Sequence, residues 1–194
     1  MQEPESGQGG SPQQPAAKEL LPPGARGFIA RYWAQAKAIL LSPRVFFDSM
    51  PTEGGLKDPL VFLSVAAGVN SLLTGIISLN PMICLLVFPA TLIGCFLAAL
   101  AANALAGAMG GKGTFEATFR VYAYSEAPML FGWIPVIGFF GVFYVWVLNY
   151  FGLRKVHDIS EGKTVLVVIL SGIVAAFLLG LAACGMLLRS IFHF

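Results

Sequence analysis

From Pro59 to Gly111 the chain runs for 53 residues without an Asp, Glu, Lys or Arg. Crossing the hydrocarbon core of a bilayer takes about 20 residues of helix. This run is therefore long enough for two crossings, and Asn80-Pro81 is the natural break between them, giving spans near 59–79 and 82–109. Pro89 is a candidate kink in the second. Charge-free runs from Ala127 to Leu153 and from Thr164 to Leu188 supply two more spans. The chain is 57% hydrophobic and 11% charged, where soluble domains carry about 25% charged residues. The fold class is all-α, a polytopic integral membrane helical bundle.

A fifth span, from Phe115 to Phe131, is weakened by Glu116, Arg120 and Glu126. Basic residues favour the cytoplasmic side. Five of them, Arg26 to Lys57, precede the first span and put the N-terminus in the cytoplasm. If 115–131 crosses, Lys112, Arg154, Lys155 and Lys163 also lie inside, and the balance is nine inside to one outside, the outlier being Arg189. Without that crossing it falls to eight against three. The count selects about five transmembrane helices. Glu116 and Arg120, four apart on one helical face, are placed to pair and lower the cost of insertion.

Three segments follow: a disordered tail over 1–25, rich in Gln, Pro, Gly and Glu; a cytoplasmic interfacial helical segment over 26–58; and a five-helix transmembrane domain over 59–190. The opening residues lack the basic flank and apolar core of a signal peptide, so the first span is expected to act as its own insertion signal. Between Arg26 and Leu41, Phe28, Ile29, Tyr32, Trp33, Ala36, Ile39 and Leu40 fall in one arc of a helical wheel, opposite Arg31, Gln35 and Lys37. With its aromatic pair Tyr32 and Trp33, this pattern suits an amphipathic helix in the membrane interface. Packing on a partner or on the bundle itself is the alternative. Ser42, as N-cap, and Pro43 then start a short helix to about Met50.

Small residues mark close helix approach in lipid. They line up as Ser64, Gly68, Ser71, Gly75 and Ser78; as Gly94, Ala98, Ala102 and Ala106; and as Gly172, Ala176, Gly180 and Cys184. These stripes predict that all three helices join one bundle. Phe139, Phe140, Phe143 and Trp146 read as lipid-facing or wedge residues. Cys84, Cys95 and Cys184 lie in apolar runs and read as packing residues.

The chemistry is sparse. Gly110-Gly111-Lys112-Gly113-Thr114 resembles a phosphate loop only superficially, since Ala106 and Gly113 stand where the motif needs Gly and Ser or Thr. A flexible interfacial turn is expected. His157 and His193 lack a metal-ligand arrangement, and His157-Asp158 is expected as a solvated pair in a cytoplasmic loop with Arg154 and Lys155. No cofactor or metal site is indicated. A net charge of +2 with scattered basic residues gives no nucleic-acid surface. The candidate intramembrane polar site is Glu116, Arg120, Tyr122 and Glu126, because an ionisable residue at membrane depth is a functional hypothesis by default. With Asn70, Asn103 and Asn149 these groups are expected to bond one another or a carbonyl freed by Pro128, fixing the bundle. The alternative is an ion or substrate path past Glu126.

The segments ILLSPRVFFDSMP, KDPLVF, GTFEATFRVYAYSEAPML, IPVIGFF and GLRKVHDISEGKTV together resemble the Yip (Ypt/Rab-interacting protein) domain family in its bacterial branch. They cover about residues 36–185. The resemblance implies five helices and a cytoplasmic N-terminus, agreeing with the charge count. Eukaryotic members are linked to Rab GTPases and to vesicle traffic or membrane shaping. Their Asp-Leu-Tyr-Gly-Pro motif has only a faint counterpart here in Asp58-Pro59-Leu60. The expected function is a non-enzymatic membrane organiser or partner-recruiting scaffold in the bacterial inner membrane. Its partners would be the lipid bilayer, another copy of the chain, or other membrane proteins. A small transporter or channel is the alternative.

Overall fold

The structure, a computed structural model, describes the backbone of residues 27–192 and the side chains as far as residue 181. The predicted disordered tail, His193 and the side chains of Cys184 and Arg189 lie outside the described residues. Every regular element among the described residues is helical: α1 (Gly27–Leu41), α2 (Pro43–Ser49), α3 (Lys57–Ile77), α4 (Pro81–Ala108), α5 (Phe115–Ser125), a 3-10 helix (Ala127–Phe131), α6 (Pro135–His157) and α7 (Glu161–Phe192). Helices α3, α4, α6 and α7 are long and apolar enough to cross a membrane. The chain is a multi-pass integral membrane protein.

Helices α3 and α4 form a hairpin at the expected Asn80-Pro81 break. Asn80 caps α4 by accepting a hydrogen bond from the Met82 amide on its Oδ1 at 3.1 Å. Pro81, which has no N–H to offer, sits where a helix needs none. Helix α4 continues through Pro89.

The contested fifth segment lies at the centre. Every residue of α5 from Ala117 to Ser125 is buried, packed among α3, α4 and α6. Pro128 ends it: a proline disfavours helical backbone in the residue before it and cannot donate to the helical ladder. The chain tightens instead, with the Met129 amide bonded three residues back to the Glu126 carbonyl at 2.9 Å.

This tightening lets a short segment reach far. Thr118 touches His157, Val121 packs on Gly152, Met129 on Gly141, and the Gly132 carbonyl on Gly138. Running antiparallel to α6, the segment keeps pace with nineteen residue steps of it, about 28 Å. Its own fourteen steps would span only about 21 Å as α-helix. With the 3-10 rise of about 2.0 Å per residue over its second half it reaches about 25 Å. The bundle is thus traversed a fifth time. The chain then turns into α6 at Pro135, so the third of the four long apolar helices begins eight residues after Ala127, where the charge-free run had placed its start.

The α4–α5 loop and the α6–α7 loop meet at one end of the bundle, called here the polar end. Lys112 Nζ lies 3.1 Å from Asp158, the Lys112 amide donates to the His157 carbonyl at 3.1 Å, and Lys163 Nζ donates to the Met109 carbonyl at 2.8 Å. The Gly110–Thr114 turn, expected as a flexible one, is therefore held at Lys112 and at Met109, the residue before it.

Helix α1 lies across the flank, over the 3-10 helix. Its apolar arc divides. Tyr32, Ala36 and Ile39 pack inward, whereas Ile29 is 80% exposed and Phe28 and Trp33 are about half exposed. The Tyr32 ring stacks on Phe62 at 4.7 Å and its hydroxyl donates to the Phe62 carbonyl at 3.3 Å. At the other end the Leu40 carbonyl accepts from Tyr144 at 2.8 Å. Helix α2 then turns back toward the polar end, burying Phe47 against Gly152 and Val121. Ser42 stands at its N-cap position, but its side chain makes no cap bond; Pro43 alone marks the start.

Two of the three small-residue stripes correspond to packed faces. Ala98, Ala102 and Ala106 of α4 are buried, as are Ser71 and Gly75 of α3. The stripe on α7 is corrected: Gly172 is half-buried, Ala176 and Gly180 are exposed, and the inward face is Thr164, Val167, Val168, Ser171 and Ala175. Phe139, Phe140, Phe143 and Trp146 stand on the outer surface.

Candidate functional site

Three polar assemblies hang on α5 and its surroundings. The first lies at the polar end. Glu116, in the first turn of α5, and Arg120, one turn on, pair at 3.4 Å as their spacing predicted. Both also hold Gly55, in the loop before α3: the Gly55 amide donates to Glu116 Oε1 at 2.6 Å, and Arg120 Nη2 donates to its carbonyl at 2.7 Å. Gly54 and Gly55 have φ of 120° and 82°, a region other residues seldom adopt. A Cβ on Gly54 would come within 3.1 Å of Arg120 Nη2.

The second assembly corrects the expectation for His157. Arg154, Lys155 and His157 belong to the last turn of α6, and Asp158 is its left-handed C-cap. His157 is fully buried, with Nε2 2.8 Å from Thr118 Oγ1. Thr118 has a single hydroxyl proton and faces the Thr114 carbonyl at 2.9 Å and Asn103 Oδ1 at 3.3 Å as well. The set balances when His157 carries its proton on Nε2 and donates it. Gly111 and Gly113 close over the ring, which excludes water from it. The solvated partner of Asp158 is Lys112, not the histidine.

The third assembly is the intramembrane one, and it is dispersed. Tyr122 bonds Ser171 of α7 at 2.6 Å. Glu126, half-buried at the end of α5, makes no side-chain hydrogen bond among the described residues. Asn103 serves Thr118, while Asn70 Oδ1 and Asn149 Oδ1 have no partner among the described residues. The single network expected around Glu126 is not formed; each polar group ties α5 to a different neighbour or stands alone. Cys84 is half-buried and Cys95 buried, both free.

Outside the bundle core, an open groove of about 730 Å³ lies between α2 and the end of α6. Arg44 stacks over Phe151 at 4.9 Å on one wall. On the other, Arg154 pairs with Glu161 at 2.7 Å. Of the aromatic pair on α1, Trp33 meets the edge of Phe131 at 6.1 Å, and burial pushes the Tyr32 phenol above its ordinary range.

Comparison with curated proteins and with solved structures finds no match. The model of the Yip1 domain matches residues 37–183. That stretch begins inside α1, ends inside α7, and contains the α2 wedge, the Gly55 clamp, the buried His157 and the whole of the central α5 segment. By that match over most of its length, the chain belongs to the Yip1 domain family.

Proposed function

We propose that this protein is a non-enzymatic multi-pass protein of the bacterial cytoplasmic membrane that organises lipid or recruits partners, with its N-terminus and polar end in the cytoplasm. The observation carrying this reading is the α1–α2 wedge. It is anchored to the bundle by Tyr32, Ile39 and Phe47, yet leaves Ile29, Leu41 and Val45 exposed, at 80%, 79% and 65%. Ile29 lies beside Val69, Leu73 and Trp133, and Leu40, next to Leu41, lies beside Phe140 and Tyr144, so these apolar groups form a one-sided surface at acyl-chain depth that suits lipid or a partner helix. Lys57, Lys112, Arg154, Lys155 and Lys163 gather at the same end, as cytoplasmic loops do. The polar groups on α5 support this reading, because most of them tie helices together.

The test is reconstitution of the full chain into vesicles, with vesicle shape and proton or ion flux measured together. Dose-dependent narrowing or tubulation is expected, lost when Ile29, Leu41 and Val45 are all changed to Gln, with no flux above empty vesicles. Flux that Glu126→Gln abolishes, with thermal stability unchanged, would replace this reading with a transporter whose path passes Glu126.

A further inference from the structure

We propose that the groove between α2 and the C-terminal end of α6 holds the headgroup of a single phospholipid, an aminophospholipid, whose acyl chain lies down the same face of α6. The charges in the groove sort themselves. Arg154 is taken by Glu161 at 2.7 Å and Asp158 by Lys112 at 3.1 Å. Arg44, Lys155 and Asp48 also line the groove, all exposed, and have no ion-pair partner among the described residues. Two cations and one carboxylate complement a phosphate diester that carries a primary ammonium. Arg44 and Lys155 suit the phosphate, by charge-assisted hydrogen bonds. Asp48 suits the ammonium. Arg44 is held in place by its stacking on Phe151 at 4.9 Å.

The same face of α6 leads from the groove into the apolar part of the helix. Lys155, Phe151, Tyr144 and Phe140 fall within an arc of about 60° on α6, at about 100° per residue. A second groove, of about 350 Å³, runs beside the deeper part of this strip, lined by Leu40, Ile137, Phe140, Gly141 and Tyr144 among others. The hydroxyl of Tyr144 is turned to the Leu40 carbonyl at 2.8 Å, so that wall presents carbon to an occupant. From Lys155 to Phe140 is about 22 Å along the axis. That suits a headgroup together with the half-thickness of a hydrocarbon core, about 15 Å. Arg44 lies beside Phe151, within a turn of Arg154, the last charged residue before the apolar part of α6. That is the level at which a lipid phosphate sits. The inference does not rest on the membrane-organising role; it requires only that the bundle sits in a bilayer.

The experiment is native mass spectrometry of the detergent-purified full chain, titrated with phosphatidylethanolamine, phosphatidylcholine and phosphatidylglycerol of identical acyl chains, and with inorganic phosphate. One retained equivalent of phosphatidylethanolamine is expected, in preference to the other two lipids and to phosphate alone. Changing Arg44 and Lys155 together to Gln should weaken retention of every lipid by about tenfold or more, given two charge-assisted contacts. Asp48→Asn should erase the preference over phosphatidylcholine, whose quaternary ammonium has no N–H to donate. Ile137→Trp, which fills the deeper groove, should weaken long-chain lipids more than a dihexanoyl analogue. These side chains are exposed, and circular dichroism and melting check that each variant folds; if the Gln pair does not, Arg44→Lys with Lys155→Arg should retain the lipid. Equal retention of ethanolamine and choline lipids, a preference for phosphatidylglycerol, saturation by phosphate alone, or retention unaffected by the Gln pair would overturn the proposal.

Discussion

Arg120 is a cation with 3% of its side chain exposed, and Glu116, its partner, keeps 32%. That difference makes the pair asymmetric. Removing the carboxylate leaves a guanidinium with no countercharge and little water, a situation that costs about 3 kcal/mol or more. Removing the guanidinium leaves a carboxylate that can turn to solvent, and the loss is nearer that of a hydrogen bond, about 1–3 kcal/mol. Glu116→Gln should therefore lower the unfolding midpoint in detergent more than Arg120→Gln does. The reverse order in a thermal melt would mean that the anchoring of Gly55 by Arg120, and not charge compensation, dominates. The pairing itself was legible, because four residues apart on a helix is a local relation. The third member was not: Gly55 stands 61 residues from Glu116 and offers only backbone atoms. His157 failed for a related reason. Between charged neighbours it looked solvated, and only the fold brings Thr118, Gly111 and Gly113 around it.

At the level of elements, hydropathy placed α3 and α4 within about two residues of their ends, since long apolar runs with a proline break leave few alternatives. What it could not supply was which small residues face inward, because in lipid both faces of such a helix are apolar. Gly152 and Gly172 make the distinction measurable. A Cβ on Gly152 would stand 2.7 Å from Val121 Cγ2 and 3.1 Å from Phe47 Cδ1, whereas one on Gly172 would meet nothing within 4 Å. Gly152→Ala is expected to destabilise by about 1–3 kcal/mol through overpacking. Gly172→Ala should be neutral or stabilise by up to about 1 kcal/mol through helix propensity. Chemical unfolding of both variants in mixed micelles checks the pair. A loss at Gly172 that appears only at high protein-to-detergent ratio would mark the α7 stripe as a contact between copies.

For the whole molecule, sidedness follows from how the segments close on one another. The contacts of Lys112 with Asp158 and of Lys163 with Met109 put the α4–α5 and α6–α7 loops at one end, and the hold of Glu116 and Arg120 on Gly55 brings the start of α3 to that end too. Leu79, in the α3–α4 turn, is 91% exposed at the opposite end. A four-crossing arrangement would separate the two loops by the thickness of the bilayer, about 30 Å, and no salt bridge spans that distance. We predict that the central segment, stretched past Pro128 into a 3-10 helix, crosses the membrane a fifth time. The prediction is tested in whole cells after replacing the native cysteines, with single cysteines at Glu53, Ser160 and Leu79 and a reagent that cannot cross the membrane. Leu79→Cys should label from outside. Glu53→Cys and Ser160→Cys should label only after permeabilisation, and together. If Ser160→Cys labels from outside while Glu53→Cys does not, the central segment does not cross, and the contacts that unite the two loops are not those of the protein in its membrane.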